Sequence, residues 1–194
     1  MEKPALNRRE RRKQKTNEQI KAATAVLLIE EGFDALTIQK ITDRADLARA
    51  TFYLHFGDVE EVVWTVLAES FTELTHIMWQ ADSDDPKTRR YLKWVKVFEF
   101  IDNHRQLMQV LSGDKGHIKL FRRFIGFIAQ NLEADIKNGR VQRTTELPIP
   151  FEAQFYSGGV LQIINWWLHE EPERTPNQLA QMVFEIILRE QPPI

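Results

Sequence analysis

The chain has 194 residues, 43% of them hydrophobic, with 12 Phe, 5 Trp and no cysteine, and its formal net charge is −2. That is enough apolar mass for a packed core in one large domain or a small one joined to a larger one, which excludes a disordered tail, and a chain without cysteine has no disulfide framework and no thiolate nucleophile or metal ligand. No apolar run approaches the ~18 residues of a membrane span, and Met1 to Lys15 is charged without the apolar segment of a secretory signal, so a soluble cytoplasmic protein is expected.

The net charge hides an asymmetry. Residues 1–57 carry 11 Lys and Arg against 8 Asp and Glu, whereas residues 58–194 carry 15 against 20. The excess is sharpest at Arg8, Arg9, Arg11, Arg12, Lys13 and Lys15. A basic arm on an acidic chain suits a polyanionic partner, although a solubilising tail has the same composition.

Helical punctuation recurs along the chain and strand alternation is nearly absent. Thr16 with Gln19 has the spacing of a capping box, and the helix it opens carries Ile20, Ala23 and Leu27 on one stripe until Gly32. Thr37 then reads as an N-cap for a short helix with Ile38, Ile41 and Ala45 on its apolar face. A tight connection at Asp46-Leu47 leads into a second short helix, Ala48 to Leu54. Asp58 with Glu61 caps a longer helix through Val62, Val66, Phe71 and Leu74. Asp85 followed by Pro86 predicts the next start, with Tyr91, Trp94, Phe98 and Ile101 in helical register and a kink near Asn103 to Arg105. Another helix runs from Ile118 through Phe121, Phe124 and Ile128 to about Asn138-Gly139. After a polar loop from Arg140 to Pro150, a final pair is expected at about Phe151–His169 and Thr175–Arg189, the last opened by Thr175-Pro176-Asn177-Gln178. The reading is an all-α protein of about eight or nine helices.

Two short helices after a longer supporting helix match the helix-turn-helix plan, in which the second short helix lies in the major groove. Phe52 and Phe56, four residues apart, both face a core with Ile20, Leu27 and Ile41. Arg49, Thr51, Tyr53 and His55 then point wholly or partly outward, where hydrogen-bonding groups can meet phosphates and base edges. Burial within a small bundle is the alternative for Tyr53 and His55 taken singly.

From Thr16 to about Leu67 the chain resembles the TetR family of bacterial transcriptional repressors, through Ala22-Ala23, Glu31-Gly32-Phe33, Leu36-Thr37, Ile41, Ala45, Thr51-Phe52-Tyr53 and His55-Phe56. The resemblance implies an N-terminal three-helix helix-turn-helix DNA-binding domain, a C-terminal helical ligand-binding and dimerisation domain, and a double-stranded DNA operator released by an unidentified small-molecule effector. By matching position it makes Thr37, Gln39, Lys40, Arg49, Ala50, Thr51, Tyr53 and His55 the DNA-contact candidates. Three residues depart from the family pattern: Asp46 where the turn usually has glycine, Ala48 where a serine usually caps the recognition helix, and Val59 where a lysine is usual. The basic arm could compensate by reaching phosphate or the adjacent minor groove. The domains expected are a flexible basic arm at 1–15, the helix-turn-helix at 16–57 and the effector-binding and dimerisation domain at 58–194.

In the larger part, Phe155-Tyr156-Ser157-Gly158-Gly159 through Trp166-Trp167 places two glycines inside a helix, at about 1 kcal/mol each against alanine. Close helix approach is the simplest compensation. Stripes through Phe155, Gly158, Gly159, Ile163, Trp166 or Trp167, and through Leu179, Met182, Val183 and Ile186, predict a two-fold interface of four helices; ordinary core in a monomer is the alternative. The aromatic-Gly-Gly…Trp-Trp segment also resembles a TetR subgroup. Trp94, Phe98, His104, Phe121 and Phe124 are candidates for an effector pocket, with His76 and His117 as further polar anchors, though an aromatic stripe at helical spacing is more often core. No cofactor or metal is expected: Glu73-x-x-His76 is at best half of a bundle di-metal site, and there is no nucleophile elbow or phosphate-binding glycine loop, so the chain does not read as an enzyme. The competing function is a TetR-like protein–protein adaptor or coactivator with lost or weakened operator recognition.

Overall fold

The computed structural model describes residues 7–112, 118–141, 143 and 145–188. His117 and Arg189 lie outside the described residues. Among those described, nine α-helices account for the regular structure: α1 (Arg8–Glu31), α2 (Ile38–Ala45), α3 (Arg49–Tyr53), α4 (Val59–Trp79), α5 (Pro86–Asn103), α6 (Arg105–Ser112), α7 (Ile118–Lys137), α8 (Ile149–His169) and α9 (Pro176–Leu188). The chain divides into two compact units, residues 1–68 and 69–194.

Most helix ends follow from local chemistry. Gly32 (φ 82°) ends α1, and Thr37 caps α2 by accepting from the Lys40 N–H at 3.2 Å. Asp58 accepts from the Glu61 N–H at 2.7 Å, while the Glu61 carboxylate accepts from the Gly57 N–H at 2.6 Å. Asp85 accepts from the Thr88 N–H at 2.8 Å with Pro86 in the first turn of α5, and His104 separates α5 from α6 where a kink is expected. Gly139 (φ 73°) follows the end of α7. The Gln178 side chain accepts from the Thr175 N–H at 2.9 Å, and Thr175 Oγ accepts from the Gln178 N–H at 3.3 Å.

Two expectations are corrected. Helix α1 opens at Arg8, not Thr16, so residues 8–15 are helical rather than a flexible arm. Asn7 Oδ1 accepts from the Arg9 and Glu10 N–H groups, both at 2.9 Å, and Glu10 returns the bond to the Asn7 N–H at 2.8 Å. This reciprocal box spans the same three-residue spacing as Thr16 and Gln19, but it sits nine residues earlier in a stretch with no apolar period to advertise a helix. The first unit also extends past residue 57 to Ala68, because the opening turns of α4 bury Val62, Val63 and Leu67.

In the first unit, α2 packs on α1 and on α3, and Ile20, Leu27, Leu28, Ile41, Phe52 and Phe56 are buried. In the second unit, α5 packs against α9, while α6 and α7 pack against α8. Its core gathers Phe98, Phe100, Ile101, Met108, Ile164, Trp167, Leu168, Leu179 and Val183.

Candidate nucleic-acid interface

Helix α2 ends at Asp46, whose φ of 53° and ψ of 50° place it in the left-handed region, and among the described residues it is the sole non-glycine with positive φ. Asp visits this region more readily than most residues because its short side chain bonds locally. The Leu47 N–H donates to the Thr42 carbonyl at 3.0 Å, which closes the turn and fixes the direction in which α3 departs. Ala48 stands at the N-cap with φ −69° and ψ 144°, the backbone geometry a capping residue needs, but it has no side chain to cap with.

A five-residue helix without a cap has almost no stability of its own. Two aromatic anchors hold it. Phe52 and Phe56 are buried with ring centroids 5.9 Å apart, so the opposite side of α3 is forced outward. Arg49, Ala50, Tyr53 and Leu54 are exposed, and Thr51 and His55 are half-buried. Tyr53 is 50% exposed and stands edge-on to Phe52 at 5.9 Å. Arg49 donates to the Tyr53 hydroxyl at 3.3 Å, and its guanidinium lies 5.9 Å from the Tyr53 ring. Two donors are thereby held together on one exposed face.

The α2 candidates are exposed but already engaged. Thr37 Oγ accepts the Lys40 N–H as the cap, Gln39 donates to Asp43 at 2.6 Å, and Lys40 donates to Glu31 and the Ala35 carbonyl. Nearby, Arg44 makes a forked pair with Glu30 at 3.1 and 2.6 Å. The Nδ1 atom of His55 is buried without a hydrogen-bond partner. Burial holds the pKa of His55 below its ordinary value, and the charge of Lys13 adds to the effect. The imidazole is therefore biased toward its neutral form. Sequence reasoning passed over Leu54, which is 76% exposed beside Tyr53. Leu54 lies one residue past the end of α3, and a Leu within an aromatic run ordinarily signals core.

The second unit holds the remaining candidates. On α8 and α9, Phe155 and Ile186 are 67% and 69% exposed, Gly159 and Met182 are exposed, and Gly158, Ile163 and Trp166 are half-buried. Phe151 extends this apolar surface by one turn and was not anticipated. Trp167 and Val183 are corrected: both are fully buried within the protomer. The Trp167 indole N–H donates to the Arg174 carbonyl at 2.9 Å, and its ring packs on Phe98 at 5.7 Å. A Cβ built at Gly158 or Gly159 would meet no other atom within 4 Å, so these glycines do not serve close packing inside the protomer.

Among the pocket candidates, Phe98 is core, with no exposed surface, beside Trp94 at 6.4 Å. His104 stacks on Phe100 at 4.2 Å and bonds the Phe100 carbonyl through Nδ1. Phe124 is buried against the edge of Phe71 at 6.2 Å, and Phe121 is half-buried. His76 pairs with Gln80 at 2.8 Å, and among the described residues no cluster of His, Asp and Glu has the makings of a metal site. No helix of the described residues is long and apolar enough to cross a membrane.

Comparison with known proteins places both units. The family model described as bacterial regulatory proteins of the tetR family matches residues 20–63, and the one described as a transcriptional regulator C-terminal region matches residues 93–189. An uncharacterized HTH-type transcriptional regulator of Bacillus subtilis, YxbF, is 22% identical over 173 residues; the match spans 87% of this chain but only 44% of that longer protein. Among solved structures, the fatty acid degradation regulator FadR of Bacillus halodurans superposes with a TM-score of 0.65 at 18% identity, covering 89% of this chain and 94% of that one. FadR of Bacillus subtilis, solved in complex with stearoyl-CoA, gives 0.62 at 17% identity over 87% and 96%. At such identities the structural likeness establishes the fold.

Proposed function

Since this chain belongs to the TetR family of transcriptional regulators, we propose that it acts as a cytoplasmic homodimeric repressor that binds a palindromic DNA operator and is released by a small-molecule effector. The observation that carries this reading is the partition of α3, with Phe52 and Phe56 in the core and Arg49, Ala50 and Tyr53 presented to solvent. In this role Tyr53 and Thr51 bond phosphate, and Arg49 leaves Tyr53 to reach a base edge. The lysine and glutamine of α2 exchange their present partners for the DNA backbone. A dimer suits the task because two reading helices ~34–36 Å apart meet successive major-groove faces. The uncovered face of α8 and α9, with Phe155, Gly159, Ile163, Met182 and Ile186, supports that assembly. A non-enzymatic role follows from the same reading.

For the effector, the second unit supplies an aromatic interior on α4, α5 and α7, and the stearoyl-CoA complex of FadR makes long-chain acyl-CoA the first compound to try. An effector works only by binding the off-DNA conformation more tightly, since equal affinity for both states shifts nothing.

The test is fluorescence anisotropy with duplexes tiling the chain's own upstream region. Saturable, salt-dependent binding to one palindrome, at least about 1,000-fold tighter than to unrelated duplex, is the expected result. Arg49→Ala then relaxes preference at one base pair by about 1–3 kcal/mol if the guanidinium reads a base. Uniformly weak binding to every duplex would instead favour the adaptor reading, to which the uncapped Ala48 and the engaged Gln39 and Lys40 lend some support.

A further inference from the structure

Helix α1 holds two segments of different character. From Ile20 onward it buries Ile20, Ala23, Thr24, Leu27 and Leu28; before that, Arg8 to Gln19 contains no apolar residue at all. Six cations occupy this overhang, all exposed, and among the described residues none of them makes an ion pair. Of its two acids, Glu10 is taken up by the capping box and Glu18 pairs with Lys21 at 2.8 Å. Like charges three and four residues apart, as at Arg8 and Arg12 or Arg9 and Lys13, repel and weaken a helix. A polyanion laid along this segment would relieve the repulsion, and the lack of any apolar stripe argues against a membrane surface.

The cations divide by direction. At 3.6 residues per turn, Arg9 and Lys13 fall within about 60° of the stripe formed by Ile20, Thr24 and Leu27, whereas Arg8, Arg11, Arg12 and Lys15 centre roughly 130° round the helix. Arg9 and Lys13 thus continue, beyond the edge of the core, the side of α1 on which the rest of the first unit is built. The charge of Lys13 helps to lower the pKa of His55, two residues past the end of α3, after burial as the larger cause. That side of α1 is the one on which α2 packs, and α2 in turn packs on α3, so both cations lie on the helix-turn-helix side of α1.

We propose that Arg9 and Lys13 form a second phosphate-binding contact that lays the front of α1 along the DNA backbone beside the recognition helix. This rests on the DNA-binding reading above and adds a helical clamp in place of an extended arm.

The proposal is tested with the full chain and a fluorescein-labelled duplex of random sequence, about 30 base pairs long, titrated by anisotropy between 50 and 200 mM KCl. Each phosphate contact contributes about 0.9 to the slope of log affinity against log salt. Arg9→Gln with Lys13→Gln lowers that slope by about 1.8, which shrinks the affinity lost over the fourfold salt range by about 12-fold. Arg8→Gln with Arg12→Gln removes the same net charge and lowers the slope by less than one contact. Arg9→Lys with Lys13→Arg keeps the wild-type slope. Equal slopes for the two neutralised pairs, or an unchanged slope for the first, overturn the proposal, as does a wild type that binds no duplex. The operator reading fails separately, when the upstream palindrome binds no more tightly than random duplex while the slope difference persists.

Discussion

Replacing Phe52 with alanine separates the residues that hold the recognition helix from those that face DNA. Phe52 has no exposed surface and meets both Phe56 and Tyr53 at 5.9 Å. Truncation removes burial worth about 1.5–3 kcal/mol, aromatic contacts worth about 0.5–1.5 kcal/mol, and leaves a cavity. Buried Phe→Ala changes accordingly cost about 3–5 kcal/mol. Set against the ~5–15 kcal/mol of a typical domain, that is a large fraction, and it falls on a five-residue helix with no side-chain cap. Tyr53→Phe is the counterpart, since its hydroxyl is outside the core and its removal changes stability by less than about 0.5 kcal/mol. Urea unfolding followed by circular dichroism measures the first quantity, and anisotropy on duplex DNA measures the second. The expected pattern is a strongly lowered midpoint for Phe52→Ala and an unchanged midpoint with weakened binding for Tyr53→Phe. A Phe52→Ala protein within about 1 kcal/mol of wild type would refute the claim that this ring anchors α3.

Other perturbations follow from the same geometry. Ala48→Ser, placed where φ and ψ already suit a cap, raises stability by about 0.5–2 kcal/mol in urea unfolding. Gly159 is exposed and a Cβ added there meets nothing inside the protomer, so Gly159→Leu is expected to leave monomer stability nearly unchanged but lower dimer content in sedimentation; an equally tight dimer would remove α8 from the interface. The Glu152 carboxyl accepts from Arg143 at 2.9 Å and from the Thr145 hydroxyl, tying the loop after α7 to the start of α8. Those two donors, Arg143 first, hold its pKa below the ordinary 4.5. The stabilisation is thus fully present above pH 4.5 and lost as pH falls through the lower folded value. Glu152→Gln is expected to be less stable at neutral pH and to show a flatter acid limb.

Sequence alone determined most of what local chemistry determines, although it missed the Asn7 box that opens α1. The caps at Thr37, Asp58, Asp85 and Thr175, the stop at Gly32 and the tight connection at Asp46-Leu47 each depend on residues within four positions of one another, and so were legible in one dimension. The outward face of α3 was legible for a related reason: once Phe52 and Phe56 are assigned to the core, helical periodicity leaves Arg49 and Tyr53 nowhere else to point. Tertiary structure decided whatever depends on which neighbour arrives. Trp166 and Trp167 are equivalent in composition and only 100° apart round α8, so nothing local distinguishes them; the arrival of Phe98 from α5 and of the Arg174 carbonyl draws Trp167 into the core. The same packing uses up Val183 on α9 while leaving Met182 and Ile186 uncovered. A charge run without apolar period, as at Arg8 to Lys15, likewise has no face of its own until the helix behind it is docked.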